Sequence, residues 1–138
     1  MKRLLSVLLL ALGPSALAHT AVTGIRPAAH AIVSQPKAVQ LEFSEAIPLR
    51  FATFKVYPLP AGDKLSLNRA AKALLNTALN AKNDASARAD AWAGGKETAM
   101  SLSLPLKPNL KAGAYAVLWR FVSDDGHVVT GQSVFHVR

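Results

Sequence analysis

The sequence predicts an all-β domain, a sandwich of about seven short strands, interrupted by a helical insertion over about 66–93. Three observations carry this reading. Several segments alternate apolar and polar residues with a period of two. Prolines fall between those segments, where they remove no ladder hydrogen bond. One segment alone switches to helical periodicity.

Ahead of the domain, Met1-Lys2-Arg3 is a short positive start, followed by an apolar run from Leu4 to Leu12 and a Gly13-Pro14 break. Ala16-Leu17-Ala18 has the form of an A-x-A cleavage site. The run is too short to span a bilayer, so 1–18 reads as a secretory signal peptide. Cleavage after Ala18 leaves a mature domain of 19–138, or 138 − 18 = 120 residues. Its first residue is His19, which then offers a free α-amine and an imidazole on one residue. Those two nitrogens can chelate a metal ion, which an internal histidine cannot do because its backbone nitrogen is an amide.

The strands follow in order. Thr20 to Arg26 is β-branched and stops at Pro27. Val39 to Phe43 alternates, as expected of a strand with one buried face. Phe51 to Tyr57 is aromatic-rich and ends at Pro58 and Pro60. Leu67, Ala70, Ala71, Leu74, Leu75, Ala78 and Leu79 then recur at helical spacing, so Ser66 to about Asn80 reads as a helix packed on the sheet. Ala81 to Gly95 reads as further helix or loop: a lid, a partner surface or an inert insertion. Met100 to Leu104 alternates again. Ala114 to Val122 is the strongest strand, with Tyr115, Val117, Trp119 and Phe121 on one face and Ala116, Leu118 and Arg120 on the other. Tyr115, just after Gly113, sits where the tyrosine corner of Greek-key sandwiches would fall. Gln132 to Val137 is the last strand.

Composition narrows the chemistry. The chain has no cysteine, so thiolate metal sites and cysteine catalysis are excluded. The formal charge is +8; without Lys2 and Arg3 the 14 basic and 8 acidic residues leave +6. The basic residues are scattered and do not interleave with aromatics, which reads as a solvated surface and not as a nucleic-acid face. No second stretch is long and apolar enough for a transmembrane helix, and a soluble monomer is expected.

The chemistry-bearing segment is Ser123-Asp124-Asp125-Gly126-His127, between the two strongest strands. Asp125 and His127 are two apart, so in extended chain their side chains point the same way. Converging with His19, they would offer three nitrogens and one oxygen, a set that suits Cu(II). Asp-Gly is also an ordinary hairpin signal. His30 lies in a loop and His136 on the last strand; neither has a partner by spacing, and both read as surface histidines.

Several segments together resemble the CopC family of periplasmic copper-resistance proteins. They are His19 directly after the signal peptide, Pro27-Ala28, Leu41-Glu42-Phe43-Ser44-Glu45 (L-x-F-S-E), Gly113 to Arg120 (G-x-Y-x-V-x-W-R) and Ser123 to Gly131 (S-x-D-x-H-x-x-x-G). The resemblance spans about two-thirds of the mature chain. It implies an immunoglobulin-like Greek-key sandwich or barrel that binds Cu(II) in the periplasm as a carrier or buffer. His19 would bind through amine and ring, His127 through imidazole and Asp125 through a carboxylate oxygen. Glu45 would orient a ligand or water from behind the first ligands. An inner-membrane copper transporter of the CopD type would be the partner. Some members carry a methionine-rich Cu(I) site; with Met100 as the mature chain's one methionine, Cu(II) alone is expected here. The chain is read as a binding protein and not an enzyme. Two alternatives remain: a copper-dependent oxidative enzyme with a histidine brace, like lytic polysaccharide monooxygenases, and a metal-free sandwich acting as an interaction module.

Overall fold

A computed structural model describes residues 20–138. The signal-peptide segment and His19 lie outside the described residues. Seven strands form two sheets. They are β1 (Val22–Arg26), β2 (Ile32–Val33), β3 (Ala38–Pro48), β4 (Thr53–Leu59), β5 (Thr98–Pro105), β6 (Gly113–Val122) and β7 (Val128–Val137). The first sheet has the order β1-β3-β5 and the second β2-β7-β6-β4. Neighbours are antiparallel except β2, which runs parallel to the end of β7.

The alternation read in the sequence becomes the core between the sheets. Val39, Leu41 and Phe43 of β3 face Tyr115, Val117 and Phe121 of β6, all buried. Phe43 packs edge-on to Phe121, with ring centroids 5.5 Å apart. Full burial of such a side chain stabilises by about 1.5–3 kcal/mol. Tyr115 is buried, but its hydroxyl reaches out and donates to Lys111 O at 2.6 Å, which makes the tyrosine corner.

The other face of β6 is also buried, which alternation alone does not explain. The cause is the helix α1 (Lys64–Thr77), whose Leu67 and Ala71, with Ala78 and Leu79 just beyond it, pack on Ala114, Ala116, Leu118 and Val134. Alanines on the strand leave room for the helix, so the molecule has three layers. Asp63 caps α1 by accepting from Ser66 N at 2.8 Å. The helix therefore starts two residues before Ser66 and ends in a 3₁₀ turn at Ala78–Asn80.

The helical insertion does not continue to 93. From Ala81 to Gly95 the chain is an irregular strap between the exposed edges of the two sheets. Ala89 N donates to Val56 O on β4 at 2.7 Å, and Ala91 N to Pro105 O on β5 at 2.9 Å. Polar side chains hold it in place of helical bonds. Buried Asp90 accepts from Val56 N at 2.7 Å and from Arg88 at 2.6 Å. Buried Lys55 donates to Ala78 O and Ala81 O at 2.8 Å each and to Asp84 at 2.7 Å. Tyr57 also donates to Asp84. Trp92 packs edge-on to Phe54, 5.3 Å between centroids. The strap thus covers two edges that would otherwise offer unpaired backbone groups.

Strand bounds shift as well. β4 begins at Thr53, because Leu49–Phe51 forms a 3₁₀ turn. β7 begins at Val128, because the β-branched run Val128-Val129-Thr130 extends the hairpin with β6. Gly131 within it is required by packing: a Cβ there would come 2.6 Å from the Trp119 indole, its cross-strand neighbour. Among the described residues, no helix is long and apolar enough to cross a membrane.

Candidate metal site at the end of the sandwich

The loop 123–127 joins β6 to β7, and its shape follows from Gly126 and from its own hydrogen bonds. Gly126 has φ +84°, a region that a Cβ disfavours. Gly126 N donates to Ser123 O at 3.0 Å, and Ser123 N to His127 O at 2.8 Å. The turn points Asp125 and His127 to the same side. Asp125 Oδ2 lies 2.9 Å from His127 Nδ1. Asp125 Oδ1 accepts from the backbone N–H of His127 at 3.2 Å and from the Ser123 hydroxyl. Ser123 is buried, so it anchors the carboxylate from below.

These donors set the electrostatics. The hydroxyl of Ser123, then the ring of His127, hold the Asp125 carboxyl well below the usual carboxylate range. Asp125 is therefore an anion at any ordinary pH. That anion engages Nδ1 of His127, whose side chain is 67% exposed. A carboxylate that fixes the tautomer and orientation of an imidazole is the arrangement that metal-binding histidines use.

Thr20 closes the group. It is 2% exposed, and its hydroxyl donates to Glu45 Oε2 at 3.1 Å. Thr20 Oγ1 in turn accepts from Asp124 N at 3.5 Å. Next to it, Ala21 N donates to Ser44 Oγ at 2.8 Å, and Ser44 N donates to Ala21 O at 2.9 Å. Thr20 thereby joins the end of the Leu41–Glu45 motif to the 123–127 loop.

Of the four residues read from the sequence, the structure brings Asp125 and His127 into contact and connects Glu45 to the same corner through Thr20. His19 falls outside the described residues. Among the described residues, no group of three or more His, Cys, Asp or Glu could hold a metal. Sequence reasoning missed Thr20, for which a small β-branched residue near a strand gave no signal. Ser123 stood inside the S-x-D-x-H pattern and was legible there. His30 and His136, read as surface histidines with no partner by spacing, are half-buried neighbours: the pairing of β2 with β7 brings their rings to 6.0 Å.

Comparison with known proteins agrees over the whole described domain. The CopC domain matches residues 22–138. Copper resistance protein C of Escherichia coli is 30% identical over 124 residues, covering 90% of this chain and 85% of its own. Protein YobA of Escherichia coli K12 is 31% identical over 126 residues, with 91% and 83% covered. The crystal structure of PcoC, a methionine-rich copper resistance protein from Escherichia coli, superposes with a TM-score of 0.58 at 26% identity, covering 88% of this chain and all of that one. The crystal structure of CopC from Methylosinus trichosporium OB3b superposes with a TM-score of 0.57 at 22% identity, with 86% and 93% covered, and shares the fold.

Proposed function

This chain belongs to the CopC family, and on that premise we propose that it is an exported Cu(II)-binding protein, a carrier or buffer in copper resistance or homeostasis. Segment 1–18 is removed as a signal peptide, and the mature domain, 19–138, works as a monomer in the periplasm. Copper is its cargo. His19 binds through its α-amine and a ring nitrogen, His127 through Nε2 and Asp125 through a carboxylate oxygen.

The observation that carries this reading is the double anchorage of Thr20. Its hydroxyl bonds Glu45 and meets the backbone of the 123–127 loop. Residue 19 is joined to it by one peptide, about 3.8 Å between Cα atoms. The point where residue 19 joins the fold is therefore at the same corner as the Asp125–His127 pair, which supports this ligand set. Glu45 acts through Thr20 and orients the incoming chain.

The chemistry of the donors selects the oxidation state. Amine, imidazole and carboxylate suit Cu(II), whereas Cu(I) prefers sulfur. The chain's two methionines are Met1 and Met100, too few for the thioether cluster implied by a methionine-rich relative. A membrane copper transporter of the CopD type is the proposed partner. The test joins mass spectrometry of the mature N-terminus with a Cu(II) titration followed by electron paramagnetic resonance. The expected result is a chain starting at His19 that takes one Cu(II) with a tetragonal, nitrogen-rich signal. A mature chain starting elsewhere, or no Cu(II) binding beyond that of an unstructured histidine peptide, overturns it.

A further inference from the structure

A second pair of imidazoles sits far from the 123–127 loop. His136 lies eight positions beyond Val128 along β7, about 26 Å away at roughly 3.3 Å per residue. It pairs with Ala114 and, through β2, with Ile32. Its side chain therefore shares the sheet face that α1 covers. His30 precedes β2 and reaches the same place. Their ring centroids are 6.0 Å apart, with planes tilted by 36°.

The backbone holds both rings in position. His30 N donates to Val134 O at 2.6 Å, and His136 N donates to Ala31 O at 2.8 Å. His30 has φ +61°, a left-handed conformation unfavourable for a residue with a Cβ. Such a conformation persists where the surroundings over-determine it, and it gathers at functional positions.

The His30 ring is also fixed. Nε2 lies 3.1 Å from Oδ1 of Asn68, on α1. An amide oxygen only accepts, so Nε2 is the donor in this contact; in the neutral ring the lone pair then falls on Nδ1. Nδ1 is sealed from solvent and meets no hydrogen-bond partner. A buried lone pair without a donor is rare in folded proteins and asks for an explanation. An imidazole whose other nitrogen donates to a carbonyl is prepared as a metal ligand.

We propose that His30 and His136 form a second metal site, one that takes a divalent transition-metal ion of imidazole preference such as Zn(II). Asn68 is its positioning residue. Two imidazoles on one tetrahedral ion hold their centroids about 5.2 Å apart, given metal–nitrogen distances of about 2.0–2.1 Å. From the observed 6.0 Å the rings need to close by under about 1 Å to share an ion. His136 is partly open to solvent, so an ion reaches the pair from its side.

The test is a Zn(II) titration of the full chain, followed by ring-nitrogen NMR of its histidines. Before metal, His30 should show the Nε2–H tautomer. With Zn(II), the His30 Nδ1 signal and one ring nitrogen of His136 should move together. His136→Gln, which keeps a side chain of similar bulk, should weaken the ion at His30 by about tenfold or more, and Asn68→Ala by a similar factor together with loss of the fixed tautomer. His127→Ala should leave both signals responsive. The proposal fails if Zn(II) moves His127 while His30 and His136 stay still. It fails equally if His30 titrates alike in the wild type and in a folded His136→Gln.

Discussion

Asp125 Oδ2 and His127 Nδ1 lie 2.9 Å apart within one hairpin loop, while Asp125 Oδ1 takes the backbone N–H of the same histidine. One carboxylate therefore fixes both the ring and the chain that carries it. The hydroxyl of Ser123 fixes the carboxylate in turn. Three residues of one loop thus set the Asp125–His127 contact, and Thr20 ties that loop to the sandwich through Asp124 N.

Substitutions in that loop should separate ligand strength from orientation. His127→Ala removes an imidazole and should lower Cu(II) affinity by about 100-fold, near 2.8 kcal/mol at about 1.4 kcal/mol per tenfold. Asp125→Ala should cost less, on the order of tenfold, because a carboxylate is the weaker Cu(II) donor and the ring loses only its restraint. Both variants should keep the wild-type melting temperature within a few degrees, since both side chains lie on an exposed loop. Competition titrations with matched chelator check the order. Equal affinity for His127→Ala and wild type removes this loop from the site.

Copper binding should weaken in acid, and the carboxylate should not be the group that titrates first. Asp125 is held well below the ordinary carboxylate range by Ser123 and then His127, so it stays ionised as pH falls. The nitrogens must shed protons to coordinate; their ordinary values are about 6.5 for imidazole and about 7.7–8.0 for an α-amine. Protons therefore compete at nitrogen, and affinity falls with decreasing pH below neutrality. The measurement is a Cu(II) titration from about pH 8 to pH 4. An affinity flat over that window rules out amine and imidazole as the main donors.

The parts legible in the sequence are those set by short-range pattern. The period-2 face of β6 and the corner at Tyr115 could be read because alternation and a single Gly-x-Tyr step specify them. The spacing of Asp125 and His127 predicts a shared side; they do meet, but through the turn at Gly126 (φ +84°) and not through extended chain. The 81–95 segment could not. Its alanines permit a helix, and what prevents one is Lys55, Tyr57 and Val56 on a strand some 30 positions away, which bind Asp84 and Asp90. His30 and His136 were illegible for the same reason: parallel pairing of a two-residue strand unites them, and two residues carry no periodicity.

The strap should also set the acid limit of the fold. Burial opposes ionisation of Asp84, but hydrogen bonds from Lys55 and Tyr57 outweigh it and bring its pKa from 3.8 down to about 2. A carboxyl depressed in the folded state contributes stability that is present above its unfolded value and lost as pH falls through its folded value. Stability of the metal-free protein should thus decline between about pH 4 and pH 2. Lys55→Met removes the buried ammonium from Asp84 and from the carbonyls of Ala78 and Ala81. It should cost about 3 kcal/mol at neutral pH, as expected when one partner of a buried pair is deleted. The acid decline should shrink in the same variant, which urea melts at several pH values will measure. An unchanged slope assigns the acid limit to other carboxylates.

The N-terminus offers the most direct test, because it isolates one nitrogen. A residue added ahead of His19 converts its amine to an amide and carries the free amine elsewhere, while the imidazole remains. Some copper binding should persist, but a chelate ring is lost. The expected cost is a few kcal/mol, roughly 100-fold or more in affinity. Thr20, held by Glu45 and the 123–127 loop, sits inside the fold, so an extension before His19 leaves the core untouched and apo stability should not change. Two proteins differing by a single leading glycine, titrated with Cu(II) against the same competitor, give the comparison. Equal affinities would show that the α-amine is no ligand. In that case the 123–127 loop would have to draw its remaining donors from elsewhere.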